Sequence, residues 1–249
     1  MIAAVMMVRD EDDIVGHTLF NLIRQGVDRI YVANNLSTDK TASVLAFYGT
    51  MYADRVVILE DDEPGYYQDR KMTELARQAA ADGAEWILPC DADEFWYHPQ
   101  QTVAEFLAST DLDIINGRGW DHIVTDDDDP TIVSPFVRVG HRRQRQQKLA
   151  KVAFRWHPDA WIDFGNHDVF NHPGRRGEGL KYRHYQYRSF EQMCRKVRQG
   201  KDAYDATNLH PTYGAHWRDM GSWDDDRLWR KWRQLCEEPG LTYDPAPVR

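Results

Sequence analysis

The sequence predicts an α/β protein with a mixed, mostly parallel central sheet flanked by helices. Short apolar runs alternate with amphipathic helical patterns through about the first 118 residues, an order that is typical of parallel strands covered by helices on both faces. The chain has 249 residues, 42% of them hydrophobic, which is enough for one large core. We therefore expect a single domain over residues 1–249, with a first half at 1–118 and a second half at 119–249.

Each predicted element follows from its local pattern. Short apolar or β-branched runs predict strands at residues 2–8, 29–33, 55–59, 85–89, 113–116, 132–137, 150–154 and 161–164. Helical periodicity or an accumulation of good helix formers predicts helices at residues 12–24, 38–47, 69–81, 189–198 and 222–236. Ser37 or Thr38 is expected near the N-cap of the second helix. The proline-rich residues 239–249 predict a loose tail.

Composition argues against several classes of protein. A formal net charge of -9 makes the chain a poor default binder of nucleic acid or anionic membrane. The apolar run at residues 1–8 is shorter than the roughly 20 residues of a membrane-spanning helix, and it lacks the basic start and cleavage site of a signal peptide. Cys90, Cys194 and Cys236 are too widely spaced for a disulfide framework or a Cys-x-x-Cys metal site. We expect a cytoplasmic protein without integral membrane contact.

Polar, mostly acidic side chains follow each of the first four predicted strands. They occupy residues 9–12, 34–39, 60–63 and 91–94. Ligands of open α/β sheets bind beyond the carboxyl ends of the strands, so these residues predict a binding site at that edge. No Gly-x-Gly-x-x-Gly follows the first strand, which argues against a dinucleotide-dependent oxidoreductase.

Asp91 and Asp93 are the most informative of these acidic residues. They stand one residue apart directly after an apolar strand, so both carboxylates can reach one hard cation. Carboxylate oxygens suit Mg²⁺ or Mn²⁺, and these metals in turn bridge the phosphates of a nucleotide. A solvated acidic turn is the alternative, because a bare Asp-x-Asp is common. The apolar strand before the pair and Phe95 and Trp96 after it favour the metal interpretation.

Three segments resemble family 2-like glycosyltransferases in their order and spacing. Met-Val-Arg-Asp-Glu at residues 7–11 resembles the opening strand and loop of that family, and residues 32–41 resemble its second-strand motif. Cys-Asp-Ala-Asp-Glu-Phe at residues 90–95 is similar to its Asp-x-Asp segment. The resemblance implies a GT-A fold. It also implies a metal-dependent, inverting transfer of a sugar from a nucleoside diphosphate donor, with UDP expected, to an acceptor hydroxyl.

The resemblance also implies positions for the donor. Arg9 and Asp39 correspond to residues that hold the nucleoside, and Asn34 stands where many relatives have Asp. Leu36 and Lys40 replace two glycines of the second motif, which predicts a different turn geometry.

Further donor contacts are expected nearer the Asp-x-Asp segment. Gln68 and Lys71 stand where relatives use polar or basic residues against the nucleotide, although Lys71 has the alternative of a solvated helix lysine. Asp91 and Ala92 of the Asp-x-Asp segment are also assigned to the donor site.

Residues 181–189 resemble the His-Tyr…Arg-Ser segment of some relatives. The resemblance implies that His184 is a third metal ligand, since neutral imidazole binds Mn²⁺. The alternative is a hydrogen-bonded histidine beneath a loop. Arg188 and Lys196 are candidates to face the diphosphate, or else they are simply solvated.

An inverting transferase needs a base for the acceptor hydroxyl, and residues 165–169 supply two candidates. Asp168 is slightly favoured because the bases of the family are usually carboxylates, and His167 is its close rival. On an extended strand only one of these neighbours would face a cleft. A hydrogen-bonded turn without a catalytic role is the third interpretation.

Between Arg138 and Arg155 the sequence has many basic residues and no acidic ones. One interpretation is a mobile lid in which Lys148 or nearby arginines close over the donor phosphates. Another is contact with an anionic acceptor: a glycan, a phospholipid-linked sugar or a modified nucleic acid. A disordered basic loop is the third. The acidic run at residues 126–129 is expected to be a solvated tip that pairs with this stretch.

Two other functions remain open at this stage. A nucleotidyltransferase shares sheet-end nucleotide binding and a metal carboxylate pair, but residues 9–13 are too acidic for its phosphate loop. A non-catalytic module would bind a nucleotide-sugar or glycan without turnover. Fold-level resemblance defines neither the sugar nor the acceptor.

Overall fold

The computed structural model describes residues 1–245 and divides the chain into two compact units. The first unit comprises Met1–Asp62, Gln68–Trp120 and Gln146–His184. The second comprises residues 63–67, 121–145 and the chain from residue 185 onward. The chain therefore passes between the units more often than the predicted halves 1–118 and 119–249 describe.

The secondary structure elements are numbered in chain order. The strands are β1 (Ile2–Val8), β2 (Arg29–Asn35), β3 (Val56–Asp61), β4 (Trp86–Pro89), β5 (Glu94–Tyr97), β6 (Ile114–Ile123), β7 (His141–Arg142), β8 (Lys151–Arg155), β9 (Trp161–Ile162), β10 (Val169–Phe170), β11 (Arg176–His184) and β12 (Thr242–Tyr243). The helices are α1 (Val15–Arg24), α2 (Thr41–Met51), α3 (Gln68–Ala81), α4 (Val103–Ser109), α5 (Pro135–Arg138), α6 (Phe190–Asp205), α7 (Ala215–Gly221) and α8 (Asp225–Cys236), with a 3₁₀ turn at Phe164–Asn166.

The sheet of the first unit is mixed, as predicted. β3, β2, β1 and β4 lie side by side in that order and pair in parallel, with Val8 opposite Asn34 and Val5 opposite Pro89. β8 pairs antiparallel with both β4 and β6, and β11 pairs antiparallel with β5. The first four strands therefore form a parallel part of the sheet. Their carboxyl ends meet at one edge, where the acidic runs were predicted to gather.

Helices cover both faces of this sheet, which confirms the predicted α/β class. Alternate residues of β1 point to opposite faces because the side-chain period of a strand is two. One face buries Ile2, Ala4, Met6 and Val8 against α1 and Leu45 of α2. The other face buries Ala3 and Val5 against Met72, Leu75, Ala76 and Ala79 of α3.

Some sequence predictions of local structure were wrong. The strand predicted at residues 132–137 is instead a turn followed by α5, whose first residue is Pro135; proline suits a first helical turn because its missing N–H has no partner there. The strand predicted at 161–164 ends at Ile162 and gives way to the 3₁₀ turn. Helix α2 begins at Thr41 with Lys40 as its N-cap, rather than at Ser37 or Thr38.

The second unit has its own core. Met193 and Val197 of α6 pack with Leu228, Trp232 and Leu235 of α8. The last residues of β6 pair with β7, which also pairs with β12, so part of the predicted loose tail forms a strand. Residues 246–249 lie outside the described residues. No helix within residues 1–245 is long and apolar enough to cross a membrane.

Cations of the segment between Arg138 and Arg155 are engaged by partners within their own units. Arg143 pairs with Asp121 at 2.7 Å and with Glu238 at 2.8 Å, and Arg142 pairs with Asp244 at 3.0 Å. The acidic run at residues 126–129 was expected to pair with this basic segment. Its residue Asp126 pairs instead with Arg233 of α8 at 2.8 Å. Much of the segment's positive charge is therefore used inside the protein.

Candidate functional site

The Asp91 carboxylate lies at the carboxyl end of β4 and is held by three donors from distant parts of the chain. The side-chain amide of Asn166 donates to Oδ1 at 2.9 Å, and that of Gln68 donates to the same oxygen at 3.2 Å. The Lys151 ammonium donates to Oδ2 at 2.5 Å. Lys151 opens β8, which pairs with β4, and Gln68 opens α3, which packs on one face of the sheet.

Lys151 is also bound to a second carboxylate, that of Glu94. Its Nζ lies 2.7 Å from Glu94 Oε1, and both side chains are buried, at 6% and 0% exposed. Burial opposes the charge of Lys151, but the carboxylates of Asp91 and Glu94 outweigh it and raise the pKa of this lysine well above its usual value. Burial also raises the pKa of Glu94 to about 7, against the opposing effect of Lys151. The ammonium is therefore a permanent cation beneath the Asp-x-Asp segment.

Asp93 and His184 face each other on the other side of this segment. Glu94 of β5 pairs with His184 of β11, which brings His184 beside Asp93. His184 Nε2 lies 3.7 Å from Asp93 Oδ1, and the Asp93 side chain is 4% exposed. The other ring nitrogen, Nδ1, lies 2.7 Å from the side-chain nitrogen of Gln147. The structure thus places His184 beside Asp93, and the role of both as metal ligands stays a prediction.

The three predicted metal ligands are not equivalent in the structure. Within residues 1–245, no three His, Cys, Asp or Glu side chains are grouped so as to hold a metal ion. Asp91 is bound to Lys151, whereas Asp93 Oδ1 and His184 Nε2 are close enough for one cation to bind both. Asp93 and His184 therefore fit a two-residue divalent site, and Asp91 in this arrangement does not extend it.

Asn34 and Arg9 lie at the carboxyl ends of neighbouring strands, because Val8 pairs with Asn34. The Asn34 amide nitrogen donates to Glu60 Oε2 at 2.9 Å. A carboxylate only accepts, so this bond fixes which way the Asn34 amide points. Its oxygen, Asn34 Oδ1, is buried and has no hydrogen-bond partner among the described residues, and the same holds for Arg9 Nε. A buried polar atom without a hydrogen-bond partner destabilises the folded protein unless a ligand supplies that partner.

Asp39 is engaged in the loop that precedes α2. Its Oδ1 accepts from the Thr41 backbone N–H at 2.7 Å, and its Oδ2 accepts from that of Asp12 at 3.3 Å. Asp10 Oδ1 accepts from the backbone of Thr38 at 2.5 Å and of Asp39 at 3.0 Å. These bonds join the β1–α1 and β2–α2 loops, so Asp39 shapes the edge of the site; its contact with a nucleoside stays a prediction.

The turn after β2 holds a non-glycine residue in a conformation that favours glycine. Leu36 has a φ of 53°, in the left-handed region that glycine adopts without strain. The difference in turn geometry from relatives that have glycine here stays a prediction.

Lys71 is buried on α3 rather than solvated. Its Nζ lies 2.6 Å from Asp61 Oδ2 at the end of β3. The same carboxylate oxygen accepts from the side-chain amide of Asn35 at 2.8 Å. The alternative of a solvated helix lysine was wrong.

The two candidate bases, His167 and Asp168, have different surroundings. His167 Nδ1 lies 2.9 Å from the Ala150 carbonyl, so that nitrogen carries the hydrogen and Nε2 is left as the basic atom. Burial, followed by the charge of Lys151, lowers the pKa of His167. Asp168 is instead bound by Arg176, and its Oδ1 also accepts from the Val169 backbone at 2.7 Å. Neither residue lies on an extended strand, since His167 caps the 3₁₀ turn and Asp168 precedes β10.

The remaining predicted donor residues are dispersed. Ala92 is buried and its carbonyl accepts from the Thr18 hydroxyl, while Lys148 is exposed. Arg188 and Lys196 belong to the second unit. Arg188 is buried and donates to the Tyr185 carbonyl at 2.9 Å. The diphosphate contacts assigned to these side chains stay predictions.

Sequence reasoning missed the residues that organise the site, above all Lys151, Glu94 and Asn166. A signal for Lys151 was present, because it opens the apolar run Lys-Val-Ala-Phe at residues 151–154. A lysine in a buried strand needs a carboxylate partner. For Asn166 no local signal exists, since its contact with Asp91 depends on how residues 75 positions apart are brought together.

Comparisons with known proteins find similarity of structure only. No protein-family model matches the sequence, and no curated protein sequence is detectably similar to it. One similar solved structure is S. aureus TarS 1–349 in complex with UDP, at 12% identity and a TM-score of 0.43, covering 89% of this chain and 70% of that chain. A second structure of S. aureus TarS 1–349 has 11% identity and a TM-score of 0.43, covering 96% of this chain and 76% of that one.

HddC from Yersinia pseudotuberculosis is similar at 12% identity and a TM-score of 0.41, covering 73% of this chain and 91% of that one. With TM-scores of 0.41–0.43, the function has to be argued from the residues of this chain.

Proposed function

We propose that this protein is a glycosyltransferase that binds a nucleoside diphosphate sugar, with UDP as its nucleotide, and transfers the sugar with inversion to an acceptor hydroxyl. The observation that carries the proposal is the buried, unpartnered Asn34 Oδ1 beside the unpartnered Arg9 Nε at the carboxyl edge of the sheet. Its reaction class rests on the three segments that resemble family 2-like glycosyltransferases.

The two unpartnered atoms define a hydrogen-bonding pattern. Asn34 Oδ1 is an acceptor and the Arg9 guanidinium is a donor. Uracil presents an N–H donor flanked by two carbonyl acceptors, which complements that pattern. Cytosine has an acceptor at ring N3 and carries its donor on the exocyclic 4-amino group, so a cytosine held with N3 against Asn34 Oδ1 would set two acceptors against each other. We therefore expect UDP to bind in preference to CDP.

Asp93 and His184 would hold Mn²⁺ or Mg²⁺. A bound divalent metal supplies charge neutralisation for the diphosphate leaving group. His184 would ligate through Nε2, which requires Nδ1 to carry the hydrogen and the Gln147 amide to turn its oxygen toward it. His167, neutral and with Nε2 as its basic atom, is the favoured base for the acceptor hydroxyl, because Arg176 and the backbone occupy Asp168.

Calorimetry tests the proposal directly. We would titrate UDP, CDP and GDP with and without Mn²⁺ into the wild type, Asp93→Asn and Asp159→Asn. Asp159 is the matched control because its side chain is 80% exposed. The expected result is Mn²⁺-dependent binding of UDP that weakens at least tenfold in Asp93→Asn and is unchanged in Asp159→Asn. A loss of this size is typical when a side chain that binds or orients a metal is removed.

The other outcomes separate the alternatives. If no nucleoside diphosphate binds with any divalent metal, the donor-site assignment fails. If UDP binds but no UDP-sugar is hydrolysed or transferred, the protein is a non-catalytic binding module instead. Tight binding of a nucleoside triphosphate together with a sugar phosphate would favour a nucleotidyltransferase.

A further inference from the structure

The ammonium of Lys151 occupies the side of Asp91 where a divalent cation would bind. Its Nζ is 2.5 Å from Asp91 Oδ2 and 2.7 Å from Glu94 Oε1, so it bridges two carboxylates as a metal ion does. The other oxygen of Asp91 accepts from Asn166 and Gln68. Gln68, Glu94, Lys151 and Asn166 all belong to the first unit, the first two in its segment Gln68–Trp120 and the last two in its segment Gln146–His184.

We propose that Lys151 is a built-in cation that removes Asp91 from the metal-ligand set, so that divalent metal affinity rests on Asp93 with His184 and is kept low by Lys151. The metal site itself belongs to the proposed function, but the role of Lys151 concerns ion binding and can be measured without any nucleotide.

Geometry and charge both support this role. Oxygen ligands bind Mg²⁺ or Mn²⁺ at about 2.1 Å, and a cation at that distance from Asp91 Oδ2 would lie close to the ammonium and be repelled by it. Because Lys151 is part of β8, its ammonium stays beside Asp91 at a high effective concentration. It therefore competes with a cation from solution.

The arrangement predicts which substitutions alter metal binding. In the wild type, Asp91→Asn should change Mn²⁺ affinity by less than twofold, whereas Asp93→Asn should lower it at least tenfold. Lys151→Gln should raise Mn²⁺ affinity at least tenfold, because Asp91 is then free to ligate. Lys151→Arg keeps the charge and should behave as the wild type.

A double-variant comparison distinguishes ligation from a general change of charge. Lys151→Gln/Asp91→Asn and Lys151→Gln/Glu94→Gln carry the same net charge. The gain in Mn²⁺ affinity should be lost in the first and largely retained in the second, because only Asp91 is proposed to become a ligand. Arg230→Gln, at an exposed arginine of the second unit, is the control for the loss of one positive charge.

The measurement is titration of the protein with Mn²⁺ alone, following free Mn²⁺ by electron paramagnetic resonance, with circular dichroism to confirm that each variant is folded. The proposal is overturned if Asp91→Asn weakens Mn²⁺ binding in the wild type as much as Asp93→Asn does. It is also overturned if folded Lys151→Gln binds Mn²⁺ no more tightly than the wild type.

If Lys151→Gln does not fold, equal losses of Mn²⁺ affinity in Asp91→Asn and Asp93→Asn would still overturn the proposal. Failure of UDP to bind would refute the proposed function and leave the Mn²⁺ titrations interpretable.

Discussion

Asp91 and Asp93 show how neighbouring residues of one motif acquire different chemistry. Asp91 accepts three hydrogen bonds, one of them from a buried ammonium, and is thereby neutralised within the protein. Asp93 lies instead 3.7 Å from the His184 ring. The spacing of the motif predicted that both carboxylates reach one site, but their protein partners come from segments 23–91 residues away. Sequence reasoning therefore located the site without distinguishing its two acids.

The catalytic base is the first prediction at this scale. Replacing His167 by Gln should lower the rate of UDP-sugar hydrolysis or transfer by about 100-fold or more, the typical contribution of a general base. Asp168→Asn should change it only a few-fold, since Asp168 is bound to Arg176. Initial rates at saturating donor provide the measurement.

The pH dependence of the rate gives this prediction a second readout. The pKa of His167 lies below its usual 6.5 because burial and then Lys151 disfavour its charged form, so the neutral base persists as pH falls. The acid limb of the wild-type profile should therefore lie below pH 6.5 and be absent in His167→Gln. A larger loss in Asp168→Asn than in His167→Gln would reverse the assignment.

Helix α4 illustrates at the scale of elements what local sequence can and cannot show. It begins with a capping box, in which the Thr102 hydroxyl accepts from the Glu105 N–H at 3.2 Å and the Glu105 carboxylate accepts from the Thr102 N–H at 2.8 Å. Thr-x-x-Glu before an apolar residue is a recognised signal for a helix start. This helix was missed although its signal was present in the sequence.

The capping box provides a prediction of stability. Thr102→Ala removes the cap and should lower the free energy of unfolding by about 1 kcal/mol. The control is Thr50→Ala, at an exposed helical threonine whose hydroxyl donates to the Ala46 carbonyl within α2; its effect should stay within about 0.5 kcal/mol. Urea unfolding followed by circular dichroism measures both. Equal losses in the free energy of unfolding for the two substitutions would show that the capping box adds no more stability than an ordinary helical threonine.

Other elements were not predictable from local patterns. β11 contains Gly177 and Gly179, residues that weaken strand signals. A side chain at Gly179 would meet the Phe106 ring 2.1 Å away, so the glycine is required by packing that only the folded chain reveals. At residues 132–137 a strand was predicted where none forms. The apolar residues there resembled a strand, whereas Pro135 favoured a helical turn. The first four strands succeeded because each is a continuous apolar run in alternation with helices.

At the scale of the whole molecule, the net charge of -9 conceals how the charges are distributed. The basic segment between Arg138 and Arg155 suggested an anionic partner, yet Arg142, Arg143 and Lys151 have carboxylate partners inside the fold. A count of charges along the sequence cannot reveal such pairs, since Arg143 and Glu238 are 95 residues apart. The nature of the acceptor therefore remains a matter for experiment rather than for charge patterning.

Ligand binding makes a prediction for the stability of the chain as a whole. A ligand that binds only the folded protein stabilises it by about 2.7 kcal/mol at 100 times its Kd. For a protein of this size such a gain corresponds to a rise in Tm of about 5–10 °C. UDP with Mn²⁺ should produce this rise in the wild type in a thermal unfolding scan.

The comparison with variants shows whether the rise comes from the proposed site. Asp93→Asn should lose the part of the rise that requires Mn²⁺, because Asp93 is proposed to hold the metal. CDP should give a smaller rise than UDP at the same concentration, since a cytosine held in the position of uracil presents its N3 acceptor to Asn34 Oδ1. If UDP and CDP raise Tm equally, the edge formed by Asn34 and Arg9 does not read the base, and the preference for UDP must be abandoned even if nucleotide binding itself is retained.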